Sequence, residues 1–385
     1  MSWHFLYGAP VSDVVGWLKG SSLMRCVLFA LFLVAACATV ATADSYTDAV
    51  SAVHRDDYDL AARLFRPLAE QGHAGAQSFL GVLYANGEGV PQNYEMAGQW
   101  YQRAAQQGDA AAQFQFGVLC ANGQGVPQNY EMAEQWYRRA ADQGVVAAQF
   151  QLGVLYANGQ GVPQNYEIAE QWYRRAADQG HARAQSHLGV LYARGQGLPK
   201  DYREAIQWYR RAAEQGDALA QFQLGVLYAN GQGVPRSYKE AGRWYRRAAD
   251  QGDAVAQFNL GVRYANGQGV PQNDELAGRW YRRAAQQGHA RAQSNLGVLY
   301  ANGQGVPKDM IRAYMWLTIA VAGSRGDDDG KPAIANHAIV ASDLTAAQIE
   351  QAQEMARRCQ ESQFLECDPK EHVYGDPRKV GEASP

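Results

Sequence analysis

The sequence contains no Cys-x-x-Cys pair, no Gly-x-Ser-x-Gly and no Ser-x-x-Lys, and no glycine-rich segment is followed by the Lys-Ser/Thr of a phosphate loop. A redox or zinc motif, a serine nucleophile on a sharp turn and a nucleotide loop are therefore without support. Charge of one sign is scarce as well. The net charge is −3 and the pI is near 6.3, which lacks the basic excess of a duplex-binding surface, so no nucleic acid partner is expected. Disorder is excluded by a 47% apolar share against 19% charged residues, enough to build a packed core. Cysteine is sparse, with five in 385 residues.

The first 43 residues read differently from the rest. No charge occurs from Cys26 to Ala43, and Val27–Ala36 is strongly apolar, preceded by Met24-Arg25 and followed by Ala41-Thr42-Ala43. Those are the three parts of a secretory signal peptide, with cleavage expected after Ala43 and translation starting as well from Met24 as from Met1. Two other outcomes stay open. Val34-Ala35-Ala36-Cys37 resembles a lipobox, which would acylate Cys37, and 18 uncharged residues barely suffice for an uncleaved anchor. The mature chain is expected to be periplasmic or secreted and to carry no membrane span. In an oxidising compartment, the neighbouring Cys359 and Cys367 are able to pair, and Cys120 takes a place that is Tyr in other repeats, as a buried apolar substitute.

What the sequence has in abundance is repetition. Trp recurs at 100, 136, 172, 208, 244, 280 and 316, and Pro at 91, 127, 163, 199, 235, 271 and 307, always 36 residues apart. Seven repeats thus run over residues 74–325. In the third, Ala148, Leu152, Leu155 and Tyr156 fall on one helical face, and Gly159-Gln160-Gly161 and Pro163 stop that helix. Asn165 then caps a second helix, whose face carries Tyr166, Ala169, Trp172, Tyr173, Ala176 and Ala177. The equivalents of Asn165 are Asn93, Asn129, Asp201, Ser237, Asn273 and Asp309, all capping types. One hairpin cannot bury both faces, but stacked hairpins share a core. The expected fold is all-α, a right-handed α-solenoid of antiparallel helix-turn-helix units.

The ends read as caps. Residues 44–73 form a degenerate repeat, residues 326–367 a closing region with a helix over Thr345–Cys359, and residues 368–385 a mobile tail after a loop at Asp327–Asp329.

The unit Ala148–Pro163, followed by Ala169–Gly180, resembles the Sel1-like repeat, a relative of the tetratricopeptide repeat with a longer turn between its helices. A tetratricopeptide unit is typically 34 residues; the period of 36 and the Gly-x-Gly-Val-Pro turn favour this relative, and Leu344–Ile349 is similar to the helix that often closes such proteins. The resemblance implies an adaptor or scaffold with a protein or peptide partner, no cofactor and no enzymatic activity. It leaves two rivals, an envelope hydrolase or β-lactam-binding protein and a structural spacer. The oligomeric state stays open.

The histidines are scattered. His73, His181 and His289 occupy the helix-start position held elsewhere by Asp109, Asp217 and Asp253, so no metal role is expected. Paired arginines recur on the second helix, from Arg138-Arg139 to Arg282-Arg283, with Asp142, Asp178, Glu214 and Asp250 placed for intrahelical ion pairs. Three rows vary between repeats. The first holds Phe79, Gln115, Gln151, His187, Gln223, Asn259 and Asn295; the second holds Asn86, Asn122, Asn158, Arg194, Asn230, Asn266 and Asn302. Two readings stay open for both: amide ladders that hydrogen-bond an extended peptide, or surface drift after duplication. The third row, Gly98, Glu134, Glu170, Ile206, Gly242, Gly278 and Tyr314, changes freely, a pattern that suits solvent.

Overall fold

Each repeat begins where a side chain takes over a backbone amide. In the computed structural model, which describes residues 45–324, 330–364 and 367, Asn93, Asn129, Asn165, Asp201, Ser237, Asn273 and Asp309 all accept from an amide of the first turn that follows. The expected signal segment with Cys37, the Asp327–Asp329 loop and the 368–385 tail lie outside the described residues.

All regular structure among the described residues is helical, in two compact units that divide after Gln164. The first unit contains α1 (residues 45–54), α2 (Tyr58–Glu70), α3 (Ala74–Asn86), α4 (Tyr94–Gln106), α5 (Ala110–Asn122), α6 (Tyr130–Asp142) and α7 (Val146–Asn158). The second contains α8 (Tyr166–Asp178), α9 (Ala182–Arg194), α10 (Tyr202–Glu214), α11 (Ala218–Asn230), α12 (Tyr238–Asp250), α13 (Ala254–Asn266), α14 (Asp274–Ala285), α15 (Ala290–Asn302), α16 (Met310–Gly323), α17 (Lys331–Ser342) and α18 (Ala346–Glu361). From α3 to α16, odd helices are the first and even helices the second of each pair. The architecture is all-α, of the α-solenoid class.

Two glycines make each turn, for different reasons. The first, such as Gly123 or Gly231, ends its helix in the left-handed conformation at φ 69°. The second, such as Gly233 at φ 72°, lies against the start of the preceding repeat's second helix, where a Cβ would come within 2.7 Å of the Tyr202 Cβ. Within a pair, the motif glycine of the first helix lies under the tyrosine that follows Trp in the second, as Gly189 under Tyr209 and Gly225 under Tyr245.

A buried glutamine holds each repeat to its neighbours. Gln257 donates to the Ala249 carbonyl at 3.1 Å in the preceding pair and accepts from Gln287 at 2.9 Å in the following stretch. Gln113, between Ala105 and Gln143, and Gln221, between Ala213 and Gln251, do the same. Each is satisfied on both sides, which a buried amide requires.

The third variable row is a correction. Gly98, Ile206, Gly242, Gly278 and Tyr314 are buried, and Glu170 is only 9% exposed. The row faces the next repeat, not solvent: a Cβ on Gly98 would lie 3.3 Å from Val126 of the following turn. Its variation is matched by partners, since Glu134 and Glu170 each carry an arginine.

The arginine pairs are corrected too. The carboxylate held by Arg138 is Glu134, one turn earlier, at 2.9 Å from Nε, and not the Asp142 that the spacing suggests. The same guanidinium donates to the Tyr156 hydroxyl of the next helix at 2.8 Å, and Arg210, Arg246 and Arg282 reach Tyr228, Tyr264 and Tyr300 likewise. The second arginine of each pair lies over the tryptophan three residues earlier, as Arg175 over Trp172 at 4.5 Å. This ladder belongs to the fold.

The C-terminal end adds a helix that the sequence reading omitted. Only Ala333 and Val340 of α17 are buried, so its apolar pattern is too thin to stand out. In α18, opened by a capping box between Thr345 and Gln348, Ala352, Ala356 and Cys359 are buried. Cys359 and Cys367 are joined by a disulfide, with Cα atoms 4.4 Å apart. Cys120 is buried and unpaired, its thiol pushed up to about 11 by desolvation.

Candidate functional site

The free face of every first helix is set by what its other faces bury. In α11, Ala220, Gln221, Leu224, Gly225 and Leu227 point inward, leaving Leu219, Gln223, Val226 and Asn230 outward at spacings of 4, 3 and 4. The two variable rows therefore share this face, seven residues apart and about 20° from the same azimuth. Gln115 and Gln151 in the first unit, and His187, Gln223, Asn259 and Asn295 in the second, are half-buried. Asn122, Asn158, Arg194 and Asn230 are exposed at the helix ends.

Several of these side chains have partners. Asn122 donates to Gln124 at 3.2 Å and Asn158 to Gln160 at 3.4 Å, so the end row stiffens the turn. Asn259 donates to its own helix at the Val255 carbonyl, 2.8 Å away, and Asn295 hydrogen-bonds Tyr281. The His187 ring lies 5.2 Å from that of Tyr173, and burial lowers its pKa, with Asp217 opposing and Arg183 adding to the shift. Phe79 departs from the row: it stacks on Phe65 at 5.0 Å and closes the N-terminal end of the first unit.

The helix-start histidines are caps. His73, His181 and His289 accept through Nδ1 from Ala76, Ala184 and Ala292 at 3.1–3.2 Å, the role that Asp109, Asp217 and Asp253 play with carboxylates. Only Val145 offers no such bond in this set. Among the described residues, no group of three His, Cys, Asp or Glu side chains is placed to hold a metal ion, and no helix is long and apolar enough to cross a membrane.

The sequence profile of the Sel1 repeat matches eight consecutive segments: 52–73, 74–109, 110–145, 146–181, 182–217, 218–253, 254–289 and 290–323. The chain belongs to the Sel1 repeat family. A crystal structure of a Sel1 repeat protein from Oxalobacter formigenes is 37% identical, covering 63% of this chain and 96% of that one with a TM-score of 0.59. A protective antigen of uropathogenic Escherichia coli with the same repeat fold is 29% identical over 87% of this chain and 88% of its own, with a TM-score of 0.43. An immunity protein of Pseudomonas aeruginosa is 21% identical, over 55% of this chain and 81% of its own, at a TM-score of 0.37. No curated protein matches the sequence.

The sequence reading missed one row on the same face of these Sel1 repeats. Arg183, Leu219, Val255 and Arg291, one per repeat in the second unit, precede the invariant Ala-Gln and are all exposed, Leu219 by 39% and Val255 by 43%. The signal was present as a third position that varies in an otherwise constant Ala-x-Ala-Gln. Beside Val255 and Arg291, a concavity of about 700 Å³ is lined by Asn259, Asn295, Pro332 and Ala333 among others.

Proposed function

We propose that this Sel1 repeat protein is an exported scaffold that holds a partner protein through an extended segment laid along its first-helix faces, and that it catalyses no reaction. The observation that carries the reading is the repeated half-buried amide at the centre of each such face, Gln115 and Gln151 in the first unit and Gln223, Asn259 and Asn295 in the second. An amide carries both donors and acceptors, so it suits peptide backbone in any sequence. The Cys359–Cys367 disulfide supports a periplasmic or secreted location, as does the signal-like start.

The test is an affinity capture with residues 44–385 against envelope and culture fractions of the source organism. A triple variant, Gln151→Glu, Gln223→Glu and Asn259→Glu, is run in parallel and checked for folding by circular dichroism. A partner retained by the wild type and lost by the variant supports the reading. Capture of nothing, with hydrolysis of a cell-wall or β-lactam substrate by the same sample, overturns it.

A further inference from the structure

None of the seven first helices, α3 to α15, contains Asp or Glu, and their only charges are Arg183, Arg194, Arg263 and Arg291, all in the second unit. Arg263 turns inward, its guanidinium 4.8 Å from the Tyr238 ring and hydrogen-bonded to Gln268, so the outward charge comes from the other three. The nearest carboxylates at the helix starts are engaged. Asp217 accepts from the Ala220 amide and the Ser186 hydroxyl, and Asp253 from the Ala256 amide. The face of the second unit thus favours anionic groups, with no acidic residue of its own helices to oppose them.

The order along the outer row adds a pattern. Arg183, Leu219, Val255 and Arg291 read basic, apolar, apolar, basic, one per repeat. Packed helices lie about 8–10 Å apart. A polyproline-II strand has three residues per turn and rises about 9 Å in each turn, so every third side chain returns to the same side at nearly the same step. A β-strand fits less well, because residues three apart point to opposite faces. Polyproline II also leaves its backbone without internal hydrogen bonds. Those groups are then available to His187, Gln223, Asn259 and Asn295, one turn further along each helix.

Resting on the scaffold reading above, we propose that the second unit recognises a polyproline-II segment of a partner protein with carboxylates at positions 1 and 10 and apolar side chains at positions 4 and 7. The carboxylates meet Arg183 and Arg291, and the apolar side chains meet Leu219 and Val255. One of the apolar side chains enters the concavity beside Val255.

The experiment uses a fluorescent decapeptide, Glu-Pro-Gln-Leu-Pro-Gln-Leu-Pro-Gln-Glu, and anisotropy titration with the protein spanning residues 44–385 at two salt concentrations. Binding is expected to weaken at least tenfold when both end glutamates become lysine, when the leucines move by one position, and in the Leu219→Ser/Val255→Ser variant. The Arg183→Glu/Arg291→Glu variant should lose the acidic peptide and gain the lysine-ended one, a swap that a misfolded variant would not show. Equal binding of acidic and lysine-ended peptides, or no binding of either, overturns the proposal. If a captured partner is at the same time lost to the glutamine and asparagine variant but retained by the arginine variant, the scaffold reading survives and only this assignment fails.

Discussion

The Tyr209 ring lies directly over Gly189, so that a Cβ on the glycine would stand 2.7 Å from ring carbon Cδ1. The close approach is what lets the two helices of the pair share a face. Tyr209 is 1% exposed, and burial raises its hydroxyl pKa well above the ordinary value. Gly189→Ala should therefore overpack the hairpin and cost about 1–3 kcal/mol, read as a lower urea midpoint. An unchanged midpoint would show that the ring moves aside freely.

Val145 stands where the other first helices have a capping side chain, and it makes no such bond. Val145→Asp should add one, to the amide three residues on, and place a negative charge at a helix N-terminus. The expected gain is about 0.5–2 kcal/mol, scored as a raised melting temperature. A loss would mean that Val145 contributes more by packing than an aspartate does by capping.

Two caps are histidines with lowered pKa values, His181 and His289, burial being the largest cause in both. A cap must accept through an unprotonated Nδ1, so the folded state favours neutral rings. Below about pH 6.5 the unfolded chain takes up protons that the folded chain resists. The stability from these caps is thus present above that pH and is lost as pH falls through the folded-state values. Melting temperature should drop between pH 7.5 and 5, and His181→Asp/His289→Asp should flatten the drop. A residual slope is expected from His187 and His337, whose pKa values burial also lowers. Parallel curves for the two proteins would rule out the capping role.

Replacing Gln257 by Ala would leave the Ala249 carbonyl and the Gln287 amide without their partner. The penalty for such stranded groups is about 1–3 kcal/mol. Amide exchange should speed up in α12 to α14 and not in α3 to α5. Exchange that rises evenly across both regions would show that the bond does not act locally.

Much of this was legible because the chain states its own alignment seven times. Capping residues and turn glycines act on backbone within three or four residues, so their type at a fixed register suffices to place them. The partners of Arg138 were not legible, since Tyr156 lies 18 residues away on a helix whose orientation no local rule supplies. The same holds for the row from Gly98 to Tyr314, where variability alone gave no indication that the next repeat covers it. Gln113 and its equivalents left a readable trace, a polar residue kept at one register on an otherwise apolar face. The outer row of Arg183, Leu219, Val255 and Arg291 left one too, but only the helix packing shows that it faces outward.

The turn glycines at Gly125, Gly197, Gly233 and Gly305 have a consequence for how such a chain grows. Each seats its loop on the first residues of the second helix one repeat earlier, and each repeat offers the same seat to the next. Plug and socket are thus copied together whenever 36 residues are duplicated. A new copy inserted at the repeat boundary finds both neighbours already shaped for it. A deletion of any other length leaves a plug facing the wrong socket.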